Sequence, residues 1–219
     1  MDASSIISKI DHSLLSPNLT LEQIKNGCEF ALTYKPHSIY VQPFYIDYVK
    51  QELRGSEVKL GTVVAFPHGN ELTSTKIHAV KEALRLGADE LDVVMNIPAA
   101  LNGDYEYIET EIREIVNVAI GKIIKVILET AFLTDTQISL SCQAIERANA
   151  HYVKTSTGFA ATGATTRHVA LMRRSVSPRV RIKASGGIRT LEQVLAMSEA
   201  GADLIASSST ESIVVELGL

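Results

Sequence analysis

Eight short apolar runs alternate with amphipathic segments along this chain, and that alternation constrains the fold more than any other feature. The runs fall at 9–11, 38–41, 59–64, 90–94, 124–128, 152–154, 181–184 and 204–206. Between them the apolar residues keep a helical spacing, as Ile77, Val80 and Leu84 do within 73–86. Thr20-x-x-Gln23, Thr134-x-x-Gln137 and Thr190-x-x-Gln193 each read as a capping box at a helix start. There the threonine oxygen accepts a first-turn amide and the glutamine reaches back. Gly87-Ala-Asp and Gly201-Ala-Asp each follow a helical run and precede a strand, a weak echo between the two halves of the chain. No low-complexity stretch or long linker divides the 219 residues. These features predict an α/β fold, a single-domain (β/α)8 TIM barrel over residues 1–219, with a doubly wound open sheet as the alternative.

Parallel strands covered on both faces should be almost continuously apolar. Several of these are not. Glu90-Leu-Asp92-Val, Lys125-Val-Ile-Leu-Glu129, Tyr152-Val-Lys154 and Arg181-Ile-Lys183 all alternate charge with hydrophobe. Period two puts Glu90, Asp92, Lys125, Glu129, Lys154, Arg181 and Lys183 on one set of faces, and Leu91, Val93, Val126, Leu128, Val153 and Ile182 on the other. In a barrel the charged set must share the lumen. Charges of both signs held away from water need partners and are costly for stability alone, so a functional site is the better account.

Within that set, Lys154 and Lys183 each close a strand-like run, in Tyr-Val-Lys-Thr-Ser-Thr-Gly and Arg-Ile-Lys-Ala-Ser-Gly-Gly. A protonated amine is no nucleophile, and a second cation nearby disfavours the charged form. Two lysines on adjacent strands, about 4.8 Å apart, therefore point to Schiff-base formation with a carbonyl compound. The plainer reading is a pair of solvated strand-end lysines. Asp92 would project into the same lumen, where an aspartate between two lysines balances charge and relays protons through water.

A phosphate end is indicated as well. Gly186-Gly187-Ile-Arg189 follows the seventh run and Ser207-Ser208-Ser209 the eighth. In a barrel these two loops often bind phosphate, glycine letting backbone amides approach the oxygens and serine donating from its hydroxyl. Arg189 fits either a phosphate contact or the surface.

Other classes of function fit poorly. The net charge is −4, so no basic field favours nucleic acid. No apolar run approaches the ~20 residues of a membrane span. The opening Met-Asp-Ala-Ser-Ser-Ile-Ile-Ser-Lys lacks the features of a secretory signal, which makes a cytoplasmic enzyme the expectation. Cys28 and Cys142 sit in helix-like segments and read as reduced core residues. The six histidines show no metal spacing, so no metal is expected.

The motifs Lys154-Thr-Ser-Thr-Gly158-Phe, Lys183-Ala-Ser-Gly-Gly187-Ile-Arg and Glu90-Leu-Asp92-Val-Val resemble those of the deoxyribose-phosphate aldolase family. Asp11-His-Ser-Leu-Leu15, Ala65-Phe-Pro67-His-Gly69 and Lys125-Val-Ile-Leu-Glu129-Thr match it in order and spacing, so the resemblance spans nearly the whole chain. It implies a class I aldolase on a (β/α)8 barrel. Such an enzyme cleaves 2-deoxy-D-ribose 5-phosphate reversibly to D-glyceraldehyde 3-phosphate and acetaldehyde, without metal or cofactor beyond the covalent lysine imine. It would serve deoxyribonucleotide and deoxynucleoside catabolism. The resemblance makes Lys154 the Schiff-base lysine, Lys183 the cation that tunes it and Asp92 part of the proton relay. Gly186, Gly187, Ser208 and Ser209 would hold the phosphate, with Asp11 near the sugar hydroxyls. The partners implied are a sugar phosphate and small aldehydes, not nucleic acid or membrane, with a homodimer as one assembly open to the chain.

Three positions depart from the family pattern. Tyr40 stands where a pocket cysteine is usual, and Ala65 and Ala206 stand where glycine is usual. Tyr40 is expected to fill part of the substrate pocket, and Ala206 to crowd the phosphate amides. Two rivals keep the phosphate loops without the imine: a sugar-phosphate isomerase barrel, and a metabolite-binding barrel without turnover.

Overall fold

The computed structural model describes residues 2–219. Each apolar run is a strand: β1 (Ile10–Leu14), β2 (Ser38–Val41), β3 (Lys59–Val64), β4 (Glu90–Val94), β5 (Ile123–Ile127), β6 (Tyr152–Lys154), β7 (Arg181–Ser185) and β8 (Leu204–Ser207). They close in chain order, all pairs parallel, with β8 returning to β1. Closure leaves no free sheet edge, and right-handed crossovers put the helices outside. The open doubly wound alternative is thereby excluded.

The strand alternation sorts as predicted. Leu91, Val93, Val126, Leu128, Val153 and Ile182 are fully buried in the layer between strands and helices. There they join Val80 of the helix Thr73–Arg85, Ile108, Ile112 and Ile115 of Tyr105–Val118, and Ile138, Cys142 and Ile145 of Asp135–Arg147. This apolar sleeve supplies the main stabilisation, at about 1.5–3 kcal/mol for each large aliphatic side chain removed from water. All three capping boxes form, with Thr20, Thr134 and Thr190 exchanging bonds with Gln23, Gln137 and Gln193.

The Gly-Ala-Asp echo has a physical cause. Gly87 and Gly201 take φ values of 106° and 109°, which end their helices. Two residues on, the aspartate knits the next strand to the previous one. Asp89 N donates to Leu60 O while Asp89 Oδ2 accepts Leu60 N, at 2.7 and 3.1 Å. Asp203 repeats this with Ile182, at 2.8 and 2.7 Å. His151 does the same work with an imidazole: its amide donates to Ile124 O at 3.0 Å and its Nδ1 accepts Ile124 N at 3.1 Å. One device thus recurs before β4, β6 and β8, and it fixes the strand register from the N-terminal end.

Candidate active site

The inward faces of β1, β2, β4, β5, β6 and β7 carry a closed network of charge. Lys154 Nζ and Lys183 Nζ donate to the same oxygen, Asp92 Oδ2, at 2.6 and 2.7 Å. Lys183 also meets Asp11 Oδ2 at 2.6 Å. Lys125 bridges Asp11 Oδ2 at 3.1 Å and Glu90 Oε2 at 2.5 Å. Ser38 donates to Asp11 Oδ1, and His37 Nε2 lies 3.1 Å from Glu90 Oε1. Asp92 Oδ1 is buried with no hydrogen-bond partner among the described residues, which leaves one carboxylate oxygen free to accept.

The titrations follow from this geometry. Burial would raise the Asp92 carboxyl, but Lys154, Lys183 and Lys125 outweigh it and hold the group below its ordinary range. Asp11 is held far lower, burial again being overcome by Lys125 and Lys183. Lys125 goes the other way: burial disfavours its charge, yet Asp11, Glu90 and Asp92 drive its pKa up. Lys183 is pushed down to about 8, because burial and the neighbouring Lys125 and Lys154 outweigh Asp11 and Asp92. Asp11, His37 and Glu90 also lie within 4.8 Å of one another, in the manner of a metal site. The Lys125 ammonium already occupies the cation position between the two carboxylates.

Above the network, at the C-terminal ends of the strands, opens a cavity of about 370 Å³. Lys154, Thr157, Gly158 and Phe159 form one wall, and Ser185, Gly186, Gly187 and Arg189 a second. Ala206 and Ser208 belong to a third side, and Ser13 to Ser16 with Leu19 close the rest. Lys154, 2% exposed, reaches this wall, whereas Lys183, 0% exposed, does not. A depressed pKa alone would nominate Lys183 as the reacting amine. Access decides the other way, since a carbonyl carbon must come within bonding distance of the nitrogen. A groove at the opposite end, about 590 Å³ between Asp47 and Asp89, carries solvated charges such as Lys50 and Arg54 and none of the lumen amines.

The hydroxyls of the two lysine motifs bind the strands to each other. Thr155 Oγ1 donates to Ser185 O and accepts Ser185 N, at 3.0 and 2.9 Å. Ser156 N reaches Ser185 Oγ at 3.3 Å, and Ser185 Oγ donates to Ser156 O. Gly163 packs so closely that a Cβ there would stand 2.1 Å from Gly186 O, so this loop holds the Gly186-Gly187 turn in shape. Both glycines of that turn have positive φ, 88° and 77°.

The structure sets several of the residues singled out in the sequence away from the cavity wall. Tyr40 does not line the cavity; its ring lies wholly buried beneath it, against Lys183 and Lys125. Asp11 is likewise outside the cavity wall, bound to Lys183 and Lys125. Ser209 does not line it either, and its amide donates to Ser207 Oγ at 2.9 Å. Arg181 leaves the lumen at the open N-terminal end, where it stacks on Tyr152 and donates to the Tyr152 hydroxyl at 2.9 Å. Glu129 lies beyond β5 in the left-handed region, with φ 57°, and accepts Thr157 N and Oγ1. It shapes the loop after Lys154, makes no direct ion pair with the lumen amines, and acts on Lys154 only through its field. Ala65 has φ 56°, a left-handed conformation that glycine would adopt without strain. Sequence reasoning assigned no task to Glu90 or Lys125. Their alternation marked them as lumen residues, but their bonds to Asp11 and His37 depend on β1 and β2.

Comparison with known proteins agrees with this geometry. The model of the DeoC/LacD family aldolases matches residues 5–212. The deoxyribose-phosphate aldolase of Dictyoglomus turgidum is 44% identical over 218 residues, with both chains covered in full. That of Caldicellulosiruptor saccharolyticus is 46% identical over 219 residues, covering 99% of this chain and 100% of its own. Among solved structures, the tetrameric deoxyribose phosphate aldolase of Aeropyrum pernix superposes with a TM-score of 0.92 at 32% identity, covering 98% of this chain and 92% of its own. The aldolase QR15 also gives 0.92, at 36% identity, with 96% of this chain and 95% of its own covered. A lysine pair sharing one buried aspartate at the mouth of a closed barrel, a family match across almost the whole chain and full-length relatives of this similarity have one joint meaning: the chain belongs to the DeoC/LacD family of aldolases.

Proposed function

We propose that residues 1–219 form one domain that cleaves 2-deoxy-D-ribose 5-phosphate reversibly to D-glyceraldehyde 3-phosphate and acetaldehyde, with Lys154 as the Schiff-base nucleophile. The observation that carries this reading is a single amine on the cavity wall sharing Asp92 Oδ2 with a second, inaccessible amine. The Lys154 nitrogen adds to the aldehyde carbon of the open-chain sugar. Loss of water gives a protonated imine. The C3 hydroxyl passes its proton through water to Asp92, whose Oδ1 is free to accept, the C2–C3 bond breaks and its electron pair flows into the iminium, giving an enamine. Glyceraldehyde 3-phosphate leaves. Water relayed by Asp92 and Lys183 protonates the enamine carbon, and hydrolysis frees acetaldehyde and the amine.

The charge count supports the iminium. Asp11, Glu90 and Asp92 face Lys125, Lys154 and Lys183, three carboxylates against three amines. When the Lys154 nitrogen bonds to carbon, the Asp92 carboxylate beside it favours a cationic imine in a lumen of low dielectric. The Gly186-Gly187 turn and Ser208 lie on the cavity wall and suit the phosphate, and Arg189 adds a positive charge there. The covalent partner is a side chain, so the reaction draws on no cofactor.

This activity places the enzyme in deoxyribonucleotide and deoxynucleoside catabolism, in the cytoplasm. No helix among the described residues is long and apolar enough to cross a membrane. Exposed apolar residues such as Phe44 and Ile120 offer surface for a homodimer, which sedimentation would measure. The decisive experiment is borohydride trapping with 2-deoxyribose 5-phosphate, followed by peptide mapping. The reductively fixed adduct should sit on Lys154 and vanish in Lys154→Ala. An adduct on Lys183 would reverse the assignment, and none in the wild type would favour a binding barrel.

A further inference from the structure

We propose that Tyr40 is a positioning residue for the aldol reaction, its ring face serving as the third partner of the Lys183 ammonium beneath the cavity floor. This rests on the aldolase reading above. Lys183 Nζ lies 3.7 Å from the centroid of the Tyr40 ring. An ammonium has three donors. Here it donates to Asp92 Oδ2 at 2.7 Å, pairs with Asp11 Oδ2 at 2.6 Å, and meets the π face as its third neighbour. The negative face of an aromatic ring attracts a cation and gives almost nothing to a neutral amine, so the contact favours the protonated state. Lys125 Nζ lies 5.1 Å from the same centroid, so a second ammonium stands near the ring. The Tyr40 hydroxyl stands 3.4 Å from Glu90 Oε2 and orients the ring.

The next strand is shaped to receive this ring. Gly61 of β3 is in register with Tyr40 of β2. A Cβ at Gly61 would come within 2.4 Å of Tyr40 Cε2 and Cζ. Any side chain there would drive the ring off Lys183. Position 40 therefore carries the bulk and position 61 yields the space, and the two residues act as one unit. The consequence for catalysis concerns Asp92. Its Oδ2 holds both amines, and the Lys154 nitrogen keeps a single N–H once it becomes a protonated imine. A firmly protonated Lys183 keeps the carboxylate seated through that step. Burial works against this charge, and the ring opposes burial by direct contact.

The test is a lysine carbon-13 NMR titration of the free enzyme, with the Lys183 signal assigned through Lys183→Arg. Tyr40→Phe should leave the midpoint within a few tenths of a unit of the wild type. Tyr40→Leu should lower it by about one pH unit. Tyr40→pentafluorophenylalanine keeps the shape of phenylalanine but inverts the ring's charge distribution. It should lower the midpoint as much, so a merely space-filling role would not reproduce the result. The alkaline limb of kcat/KM for the sugar phosphate should move by the same amount. If the leucine and fluorinated variants both titrate like Tyr40→Phe, the proposal is wrong. Because the titration is read without substrate, it judges the ring–ammonium contact even if borohydride traps no adduct, a result that would sink the aldolase reading instead.

Discussion

Lys154 and Lys183 stand in register on adjacent strands and donate to one aspartate oxygen, yet only Lys154 reaches the cavity. Register gives them a common partner, and depth gives them different tasks. In the reading above, one amine reacts and the other remains a fixed charge.

That division predicts a pH profile. Lys183 titrates at about 8, and its ammonium is the working form. Activity that depends on it is present below that pH and lost as the pH rises through it. Wild-type kcat/KM should therefore fall above about pH 8. Lys183→Arg, charged at all these values, should hold its residual activity to higher pH. Lys183→Leu should lose about a hundredfold or more in kcat at every pH. Steady-state kinetics between pH 6 and 10 would read all three, and an unchanged alkaline limb in Lys183→Arg would assign the transition to another group.

The phosphate end is tested by charge. Ser208 lies on the cavity wall beside the Gly186-Gly187 turn. Ser208→Asp would set a carboxylate against a dianion, and KM for 2-deoxyribose 5-phosphate should rise by at least about tenfold. Unphosphorylated 2-deoxyribose should be affected little. Equal losses on the two substrates would move the phosphate elsewhere. Ala206→Gly should lower KM for the phosphorylated sugar if the alanine methyl, which borders the cavity, crowds that end.

His12 predicts the acid limit of stability. Its ring is 2% exposed and packs on Phe30 at 4.8 Å between centroids. Neither ring nitrogen has a partner among the described residues. Burial pushes its pKa from 6.5 down to about 4. The unfolded chain then binds the extra proton first, so stability is intact above pH 6.5 and falls as the pH drops toward 4. The full loss is about 3 kcal/mol. Urea unfolding at several pH values should show a shallower acid slope in His12→Phe. Parallel slopes in the two proteins would assign the acid sensitivity to other groups.

Resistance to reactive aldehydes should follow from the thiols. Cys28 and Cys142 are both buried and free, and neither borders the cavity. Burial, helped by Glu52 and Glu29, pushes the Cys28 thiol up to about 12. Cys142 is raised by burial as well. Thiolate is the species that adds to unsaturated aldehydes. Incubation in crotonaldehyde should leave both cysteines unmodified, while Tyr40→Cys, which opens the space of the ring beneath the cavity and sets a thiol beside the Lys183 and Lys125 ammonium ions that favour thiolate, should gain an adduct at position 40 and lose activity sooner. Mass spectrometry after timed exposure compares the two proteins. Equal rates of inactivation would show that the missing lumen thiol offers no protection.

Much of this protein is legible in its sequence because the signals are local. Period-two alternation in Glu90-Leu-Asp92 and Arg181-Ile-Lys183 reports which face a side chain takes, since backbone geometry decides that within a strand. The capping boxes and the left-handed glycines report helix ends for the same reason. The lysine pair and Asp92 could be placed in one lumen on this basis. Depth along the barrel axis could not. Only closure of the staggered sheet sets Asp11 of β1 against Lys183 of β7, slides Tyr40 under that ammonium through the space left by Gly61, and carries Arg181 out at the far end. Alternation states inward or outward, whereas the stagger between strands sets the height at which an inward residue stands. Height, in turn, separates the lysine that substrate can reach from the lysine it cannot.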